Sequence, residues 1–347
     1  MTSGHAAIRK VIMKILIIGS EGFIGRFMIR DLKAKGHEIV GFDLCPGDAG
    51  KSGYTFVQGN LLNAGDLRSA MQGADLVMNL AAKHHDFGIS REDFFQINEA
   101  GTQVILDVLT ECRIKKFIFF SSVAVYGLHD TATSEDTPLT PCNDYGKSKL
   151  AGETLIRQWA QADPSREVLV VRPVVVYGPH NYANMFRLID NIYRRRFLMV
   201  GKGENIKSTA YVENLVEAAV FMMERMRPGY DIVNYSDYPQ KRSLEIANII
   251  CGELGRPPLR FRFPLPLAVC LACPFDLLAK LTGKNIPITA NRIQKFARMN
   301  TWHGSDKVRS LGYQQRFSTE EGLKRMVAWY LAEGRRYRER CSSGERI

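Results

Sequence analysis

Short apolar runs alternate with amphipathic segments of helical period in the first half of the chain. The runs cover residues 14–18, 38–42, 55–58, 76–80 and 116–121. Nearly continuous apolar runs of this length are typical of strands that are buried on both faces. Strands that alternate with helices form a parallel sheet with helices on both of its faces. The pattern therefore predicts an α/β fold with a doubly wound parallel sheet.

A glycine-rich turn directly follows the first apolar run. Gly19, Gly22 and Gly25 have the spacing Gly-x-x-Gly-x-x-Gly, and a helical pattern continues to Leu32. The first glycine permits a tight turn, the second lets the backbone approach a pyrophosphate, and the third allows close packing of helix on strand. Free backbone N–H groups at the start of the helix then bind the anion. Strand, turn and helix in this order predict a Rossmann-type site for a dinucleotide.

The second apolar run ends at an acidic residue, Asp43. A carboxylate about 20 residues beyond such glycines accepts hydrogen bonds from the ribose hydroxyls of adenosine and repels a 2′-phosphate. No arginine follows Asp43 immediately. NAD is therefore predicted in preference to NADP.

The pattern changes near residue 179, beyond which helices are joined by short strands. Helical periodicity covers residues 184–197, 212–226 and 244–254, and a short strand covers 231–235. We expect a smaller domain here, with a ligand cleft where it meets the larger one. The predicted divisions are a disordered extension at 1–12, a nucleotide-binding domain at 13–178 to which later segments could return, a mainly substrate-binding domain at 179–335, and a polar tail at 336–347.

Tyr145 and Lys149 are four residues apart in a predicted helix, and Ser121-Ser122 lies upstream. Residues with this spacing lie one above the other on one helix face. An ammonium beside a phenol stabilises the phenolate and lowers the pKa of the phenol, so that tyrosine becomes a usable base near neutral pH. The same spacing also occurs on solvated helix faces, so its interpretation depends on the neighbouring motifs.

The chain carries a net charge of +11 over 347 residues. Such a charge fits nucleic acid, an anionic membrane, a phosphorylated substrate or a basic surface without a partner. No basic run is interleaved with aromatic residues, so nucleic acid is not an expected partner. Seven cysteines without a disulfide framework are typical of a reducing cytoplasm. No apolar segment reaches the roughly 20 residues that a membrane-spanning helix needs.

Residues 263–275 form an uncharged segment with basic residues on either side. A segment of this kind lies at an anionic lipid surface, or it packs into the smaller domain as an ordinary helix. Cys270 and Cys273 within it have Cys-x-x-Cys spacing but no second pair nearby. We therefore expect both cysteines to pack in the core, and no metal site is predicted.

The motifs together resemble the extended short-chain dehydrogenase/reductase family, and within it the nucleotide-sugar epimerases and dehydratases. The resemblance spans about residues 13–335 and rests on Gly19 to Gly25, Asp43, residues 79–82 and 121–127, Tyr145 with Lys149, Arg172-Pro173 and residues 177–179. It implies NAD as the cofactor and a homodimer formed through two helices of the larger domain. Asn60 departs from the family pattern, because an aspartate usually faces the adenine there, yet an amide can still donate and accept.

The resemblance also implies roles for individual residues. Tyr145 would be the catalytic base and acid, Lys149 the ribose-binding partner that lowers its pKa, and Ser122 a hydrogen-bond partner of the reacting hydroxyl. The implied cofactor-binding residues are Gly19, Glu21, Gly22, Phe23, Ile24, Gly25, Asp43, Asn60, Leu61, Leu80, Ala81, Ala82, Asn98, Tyr145, Lys149 and Pro173. The implied substrate-binding residues are Lys83, His84, Ser122, Val123, Asn184, Arg187 and Lys207.

The two residues after Ser122 narrow the implied reaction. Sugar 4,6-dehydratases of the family carry Asp-Glu there and decarboxylating relatives carry Glu, whereas this chain has Val123-Ala124. Alkyl side chains cannot transfer a proton. Epimerisation at carbon 4 of a sugar, or a simple reduction or oxidation, remains.

Bacterial epimerases that act on N-acetylglucosamine linked through diphosphate to polyprenol are similar to this chain at residues 197–205, 207–208, 210–214, 264–283 and 307–312. This resemblance implies an NAD-dependent 4-epimerase of a diphosphate-linked sugar, on polyprenol or nucleotide, in surface polysaccharide biosynthesis. It also implies a cytoplasmic protein with peripheral contact to the inner face of the membrane through residues 261–284. A 4-ketosugar reductase, a sterol-type dehydrogenase and a non-catalytic NAD-binding scaffold are the alternatives.

Overall fold

The computed structural model describes residues 11–46, 53–83, 89–129, 131–282, 289–290, 293–294, 297 and 299–336, with the backbone alone described for 277–282. The chain divides into two compact units. The first unit comprises residues up to 121 together with 147–171 and 220–232, and the second comprises 122–146, 172–219 and the residues from 233 onward.

The strands are short, as the apolar runs predicted. They are β1 (Lys14–Ile18), β2 (Glu38–Asp43), β3 (Thr55–Gln58), β4 (Leu76–Asn79), β5 (Lys116–Phe120), β6 (Glu167–Pro173), β7 (Val175–Tyr177), β8 (Met199–Val200), β9 (Ile206–Lys207), β10 (Thr209–Tyr211), β11 (Gly229–Tyr235), β12 (Lys241–Arg242) and β13 (Arg262–Phe263). Seven of them form one sheet in the order β11-β6-β5-β4-β1-β2-β3, in which β1 to β6 pair in parallel. The predicted fold class is confirmed.

The helices connect these strands in the alternation expected from the sequence. They are α1 (Phe23–Ala34), α2 (Ala64–Met71), α3 (Arg91–Phe95), α4 (Gly101–Glu111), α5 (Asp144–Gln161), α6 (Asn184–Tyr193), α7 (Val212–Met223), α8 (Ser243–Glu253), α9 (Leu265–Thr282), α10 (Asp306–Ser310) and α11 (Thr319–Trp329). Helix α6 ends four residues before the predicted limit, because Arg195 adopts a left-handed backbone conformation with φ +58° that stops the helix. Among these residues, no helix is both long and apolar enough to span a membrane.

The core of the first unit lies between the sheet and the helices that cover it. The central strands β1 and β4 are almost fully buried, with Leu16 and Val77 at 0% exposure. Trp159 on α5 closes one side of this core and meets the ring of Phe117 edge-on, with 6.3 Å between ring centroids. Burial on both faces explains why these strands are continuous apolar runs rather than alternating ones. The sheet consequently places the carboxyl ends of its parallel strands at one edge.

A buried acid, Asp237, organises the second unit. Its carboxylate accepts hydrogen bonds from the backbone N–H of Tyr211 at 2.7 Å, from the Nδ2 of Asn214 at 2.9 Å and from the hydroxyl of Tyr235 at 3.3 Å. Asn214 in turn donates to the carbonyl of Phe317 and accepts from its N–H. Burial raises the pKa of Asp237 to about 7, and the three hydrogen bonds oppose the rise only in part. This network connects β10, α7 and the segment that precedes α11.

We expect Asp237→Asn to change how stability depends on pH. The folded protein keeps its proton on Asp237 up to about pH 7, whereas in the unfolded chain the carboxyl has its ordinary pKa of 3.8. The proton's contribution to stability is therefore present at low pH and lost as the pH rises toward 7. Between pH 5 and pH 8, the free energy of unfolding of the wild type should fall by about 3 kcal/mol relative to the variant. Urea unfolding at both pH values measures this, and parallel pH profiles would contradict it.

Candidate active site

The glycine turn after β1 has the geometry that its sequence predicted. Gly19 has φ +85°, and a Cβ atom there would lie 2.7 Å from the backbone nitrogen of Ala81. A Cβ on Gly25 would lie 2.3 Å from the carbonyl oxygen of Gly19. Helix α1 begins at Phe23, and its N-cap, Gly22, provides no side chain to bond the first backbone N–H groups. The turn therefore presents a bare helix N-terminus, which fits a dinucleotide pyrophosphate.

The carboxylate of Asp43 lies beside this turn, at the end of β2. One oxygen accepts from the backbone N–H of Glu21 at 3.0 Å and the other from that of Cys45 at 3.1 Å. Glu21 is itself held by the hydroxyl of Tyr54, which donates to it, and by an ion pair with Arg26 at 3.6 Å. Each oxygen of Asp43 keeps a lone pair for a further donor. The carboxylate thus fits the role of accepting from ribose hydroxyls.

Asn98 fixes the segment that follows β4. Its Oδ1 accepts from the N–H of Lys83 at 3.1 Å, while its Nδ2 donates to the Lys83 carbonyl at 3.2 Å and to the Oγ of Ser148 at 2.9 Å. The side chain is buried, and α5 approaches so closely that a Cβ on Gly152 would lie 2.7 Å from the carbonyl oxygen of Asn98. Asn98 therefore holds the backbone of Lys83, which directly follows the predicted cofactor segment.

Asn60 and Leu61 occupy the turn after β3. The Oδ1 of Asn60 accepts from the N–H of Leu62 at 3.0 Å, and its own N–H donates to Asp66 at 2.9 Å. Leu61 packs against Gly101, where a Cβ would lie 2.0 Å from the Cδ1 of Leu61. The amide at position 60 thus stabilises the turn that carries Leu61 against α4.

Ser122 begins a tight turn just beyond β5. Its Oγ accepts from the N–H of Ala124 at 3.2 Å, and residues 123–125 form one turn of 3₁₀ helix. Val123 and Ala124 are half-buried and carry no proton-transfer group. The hydroxyl of Ser122 remains able to donate.

The first turn of α5 packs directly on this Ser122 turn. A Cβ on Gly146 would lie 2.5 Å from the carbonyl oxygen of Ala124, so only glycine permits the approach. The N–H of Gly146 donates to the Oδ1 of Asn143 at 2.7 Å, which holds the start of the helix. Tyr145 is the neighbour of Gly146 and is half-buried. The packing therefore brings the backbone that carries Tyr145 to the turn that carries Ser122.

Lys149 follows Tyr145 by one turn of the same helix, α5. Its side chain is 1% exposed, and its Nζ lies 4.4 Å from the centroid of the Phe119 ring. Burial lowers the pKa of Lys149 to about 7, although the nearby carboxylate of Glu153 raises it. The amine consequently changes its charge near neutral pH, which is typical of lysines in functional sites.

The predicted substrate residues have varied surroundings. Lys207 donates from its Nζ to the carbonyl of Met299 at 2.9 Å, and burial lowers its pKa. Asn184 and Arg187 are exposed on the first turns of α6, and the side chain of Lys83 is exposed. His84 lies outside the described residues.

The predicted site residues are divided between the two units. The first unit contains Gly19, Glu21, Gly22, Phe23, Ile24, Gly25, Asp43, Asn60, Leu61, Leu80, Ala81, Ala82, Lys83, Asn98 and Lys149, and the second contains Ser122, Val123, Tyr145, Pro173, Asn184, Arg187 and Lys207. The sequence did not reveal the roles of two residues. Ser148 accepts a buried hydrogen bond from Asn98, and Gly146 permits the close backbone approach to Ala124. Both belong to the sequence Tyr145-Gly-Lys-Ser-Lys149, so a small residue next to the tyrosine was the available signal.

A cavity of about 660 Å³ in the second unit was also missed. It is lined by residues 201–205 and 262–266 together with Ala297 and Asn300. The two long segments meet because β8 and β13 pair in parallel, with Arg262 opposite Met199. Two-residue strands more than sixty residues apart have no periodic signal, so this pairing could not be read from the sequence.

The class of protein is that of the nicotinamide-dependent α/β enzymes. Their typical features are a glycine turn that fits a dinucleotide, an acid at the end of the next strand, and a serine, a tyrosine and a lysine further along the chain. Residues 15–235 match the model of the NAD dependent epimerase/dehydratase family. The chain belongs to this family, whose cofactor is NAD.

Three known proteins illustrate the similarity. The chain is 31% identical to the N-acetyl-alpha-D-glucosaminyl-diphospho-ditrans,octacis-undecaprenol 4-epimerase of Escherichia coli O157:H7, over 93% of this chain and 96% of that protein. It is 26% identical to the decarboxylating sterol-4-alpha-carboxylate 3-dehydrogenase of Mus musculus, over 90% of this chain and 85% of that one. The crystal structure of UDP-glucuronic acid 4-epimerase from Bacillus cereus with NAD has the same fold, with a TM-score of 0.73, 23% identity, and coverage of 92% and 99%.

We predict that Gly146→Ala disturbs the candidate active site. The added Cβ would meet the Ala124 carbonyl, so the Ser122 turn and α5 must separate, at a cost of about 1–3 kcal/mol in the free energy of unfolding. Gly252 is a matched control, because it is also a helical glycine of the second unit and has open space around its Cβ position. Gly252→Ala should stabilise the protein by up to about 1 kcal/mol. Urea unfolding of both variants measures the contrast, and similar shifts for the two would refute it.

We also predict that Asp43→Asn weakens the binding of NAD. The substitution removes the charge that strengthens hydrogen bonds to ribose, so the Kd for NAD should rise about tenfold or more, while the Kd for NADP should fall or stay unchanged. Asp107→Asn, an exposed acid on α4, serves as the control. Titration of nucleotide-free protein by calorimetry measures the Kd for each nucleotide in the wild type and in both variants. An unchanged Kd for NAD in Asp43→Asn would show that the ribose is held elsewhere.

Proposed function

We propose that the protein is an NAD-dependent epimerase that inverts carbon 4 of an N-acetylglucosamine or N-acetylgalactosamine linked through diphosphate to a polyprenol or nucleotide. It would act through a transient 4-keto sugar in surface polysaccharide biosynthesis. The packing of Tyr145's helix on the Ser122 turn, through Gly146 and Ala124, is the observation that supports this proposal best. The Escherichia coli relative, similar over nearly its whole length, supports a polyprenyl diphosphate as carrier.

In this proposal each residue has a defined task. Tyr145 takes the proton of the 4-hydroxyl and later returns it, and Ser122 holds the same oxygen by a hydrogen bond. Lys149, one helical turn from Tyr145, stabilises the phenolate when it is protonated. Bound NAD accepts the hydride from carbon 4 and returns it to the opposite face of the sugar. The reaction has no net redox change, so the cofactor is not consumed.

The residues beside Ser122 argue against dehydration. Water loss needs an acid and a base near carbons 5 and 6, and Val123 and Ala124 offer neither. The similarity to a sterol dehydrogenase favours net oxidation as the second candidate, since that chemistry needs the same hydride and proton transfer. A 4-ketosugar reductase fits the same residues.

The substrate-binding residues are part of the proposal. Arg187, Lys202 and Lys207 would hold the diphosphate by charge, with Lys83, His84, Val123 and Asn184 bordering the sugar. We further propose that the protein is a homodimer that works at the inner face of the cytoplasmic membrane, where a polyprenyl-linked sugar resides.

An assay with polyprenyl-diphosphate N-acetylglucosamine tests the function. We expect the N-acetylgalactosamine isomer to form, detected by chromatography of the released sugar, without added NADH and without a steady change in absorbance at the NADH band. Stoichiometric consumption of NADH would instead show a reductase. The same assay with a nucleotide-linked sugar tells which carrier is preferred.

Tyr145→Phe tests the mechanism within that assay. The loss of a general base should lower turnover about 10²- to 10⁴-fold. Tyr238→Phe is the matched control, because Tyr238 is an exposed tyrosine of the same unit, and it should retain full activity. Full turnover in Tyr145→Phe would remove Tyr145 from the mechanism.

A further inference from the structure

In the second unit, two chain segments have exposed arginines shortly before an exposed apolar residue. Leu198 directly precedes β8 and is 46% exposed, and Phe261 directly precedes β13 and is 67% exposed. Because Arg262 pairs with Met199 in a parallel register, Leu198 and Phe261 lie next to each other at the entrance of the two strands. Arg195 and Arg196 come before Leu198, and Arg260 comes before Phe261; all three are exposed.

Helix α9 begins one residue after β13 and has an inverted pattern of burial. The helix buries two small residues, Ala268 at 7% and Ala272 at 2% exposure. Its large apolar residues point outward instead: Leu267 is 55% exposed, Leu271 is 65% exposed and Phe275 is 43% exposed. These three are spaced by four residues and therefore form one stripe. A helix that packs through alanine and exposes leucine and phenylalanine is not an ordinary core helix.

The two cysteines of this helix are exposed as well. Cys270 and Cys273 are exposed, so the expectation that they pack in the core is wrong. The helix approaches the rest of the unit through Ala268 and Ala272, and the cysteines lie on the other faces. They add to the apolar surface that α9 presents.

Basic residues predominate in the two segments that carry these apolar residues, and Glu204 and Asp276 are the acids that directly follow them. Residues 254–275 contain no aspartate or glutamate, and neither do residues 191–203. Arg256 links the two segments, because its guanidinium donates to the carbonyls of Ile192, at 2.6 Å, and Tyr193 at the end of α6. Within the part of the chain that the structure describes, Arg195, Arg196, Arg260 and Arg262 form no ion pair. These two segments thus carry four guanidinium groups that have no ion-pair partner among the described residues.

We propose that this basic apolar surface, formed by Arg195, Arg196, Leu198, Arg260, Phe261, Arg262, Leu267, Leu271 and Phe275, docks on an anionic phospholipid bilayer. Leucine and phenylalanine side chains enter the interfacial region, and arginines bind the headgroup phosphates. A second copy of the chain is the poorer occupant, because a symmetric contact would bring two sets of unneutralised arginines together. The negative charge of the bilayer complements both the arginines and the net charge of +11.

The docking surface shares residues with the cavity described above. Arg262, Phe263, Pro264, Leu265 and Pro266 line that cavity and connect β13 to the start of α9. Docking would therefore place the cavity next to the headgroups, where a lipid-linked diphosphate is found. This last step rests on the proposed function, whereas the docking itself does not.

Co-sedimentation of the full chain with vesicles tests the docking. We expect binding to vesicles of phosphatidylcholine and phosphatidylglycerol in a 3:1 ratio at low salt, and much weaker binding to pure phosphatidylcholine or at high salt. Leu271→Asn should weaken binding about tenfold. Arg260→Gln with Arg262→Gln should weaken it about 25-fold, since each arginine near an anionic surface contributes about a fivefold change.

Matched variants elsewhere separate docking from general effects. Leu311→Asn removes a leucine of 48% exposure that lies outside the surface, and Arg227→Gln with Lys324→Gln removes two exposed charges. These variants should bind vesicles as the wild type does. Unfolding midpoints and elution volumes of all variants check that the fold and oligomeric state are kept.

Three results would overturn the proposal. The wild type could fail to bind anionic vesicles, or Leu271→Asn and Leu311→Asn could weaken binding equally. Alternatively, Leu271→Asn could change the oligomeric state while no vesicle binding is seen, which would make the surface a contact between copies. The assay contains neither sugar nor NAD, so its outcome is independent of epimerase activity. Epimerase activity in detergent without vesicle binding would refute the docking alone.

Discussion

The approach of two backbones, at Gly146 and at Ala124, is the constraint on which the candidate active site depends. No side chain fits between them, since even a Cβ would lie 2.5 Å from the carbonyl oxygen. Tyr145 is the neighbour of Gly146 in sequence, and Ser122 lies two residues before Ala124. The backbones that carry the phenol and the hydroxyl are thereby held together by main-chain packing, which is stiffer than a contact between long side chains.

Lys149 shows how the same helix combines stability with chemistry. A fully buried amine favours its neutral form, and the ring of Phe119 together with Glu153 offsets part of that penalty. The result is an amine that titrates near neutral pH rather than one fixed in either charge state. A catalytic tyrosine one turn away would respond to that titration.

Much of the first unit could be predicted from the sequence, for a physical reason. Strands buried on both faces are continuous apolar runs, so β1 and β3 were placed at their observed bounds and the glycine turn was recognised beside them. The second unit was harder. The β8–β13 pair has two residues in each strand, and α9 hides alanine while exposing leucine, so neither periodicity nor hydrophobicity indicates their surroundings. Residues that act through close backbone approach, such as Gly146, also leave little trace in residue chemistry.

The path of the chain between the two units has a consequence for synthesis on the ribosome. The edge strand β11 lies beside β6 in the sheet, and its residues 229–232 belong to the first unit. Residues 122–146 and 172–219, which belong to the second unit, precede β11 in the chain. The nucleotide-binding sheet therefore cannot be completed until more than two thirds of the polypeptide has been translated. No single cut in the gene would yield either unit intact, because each unit consists of three separate stretches of the chain.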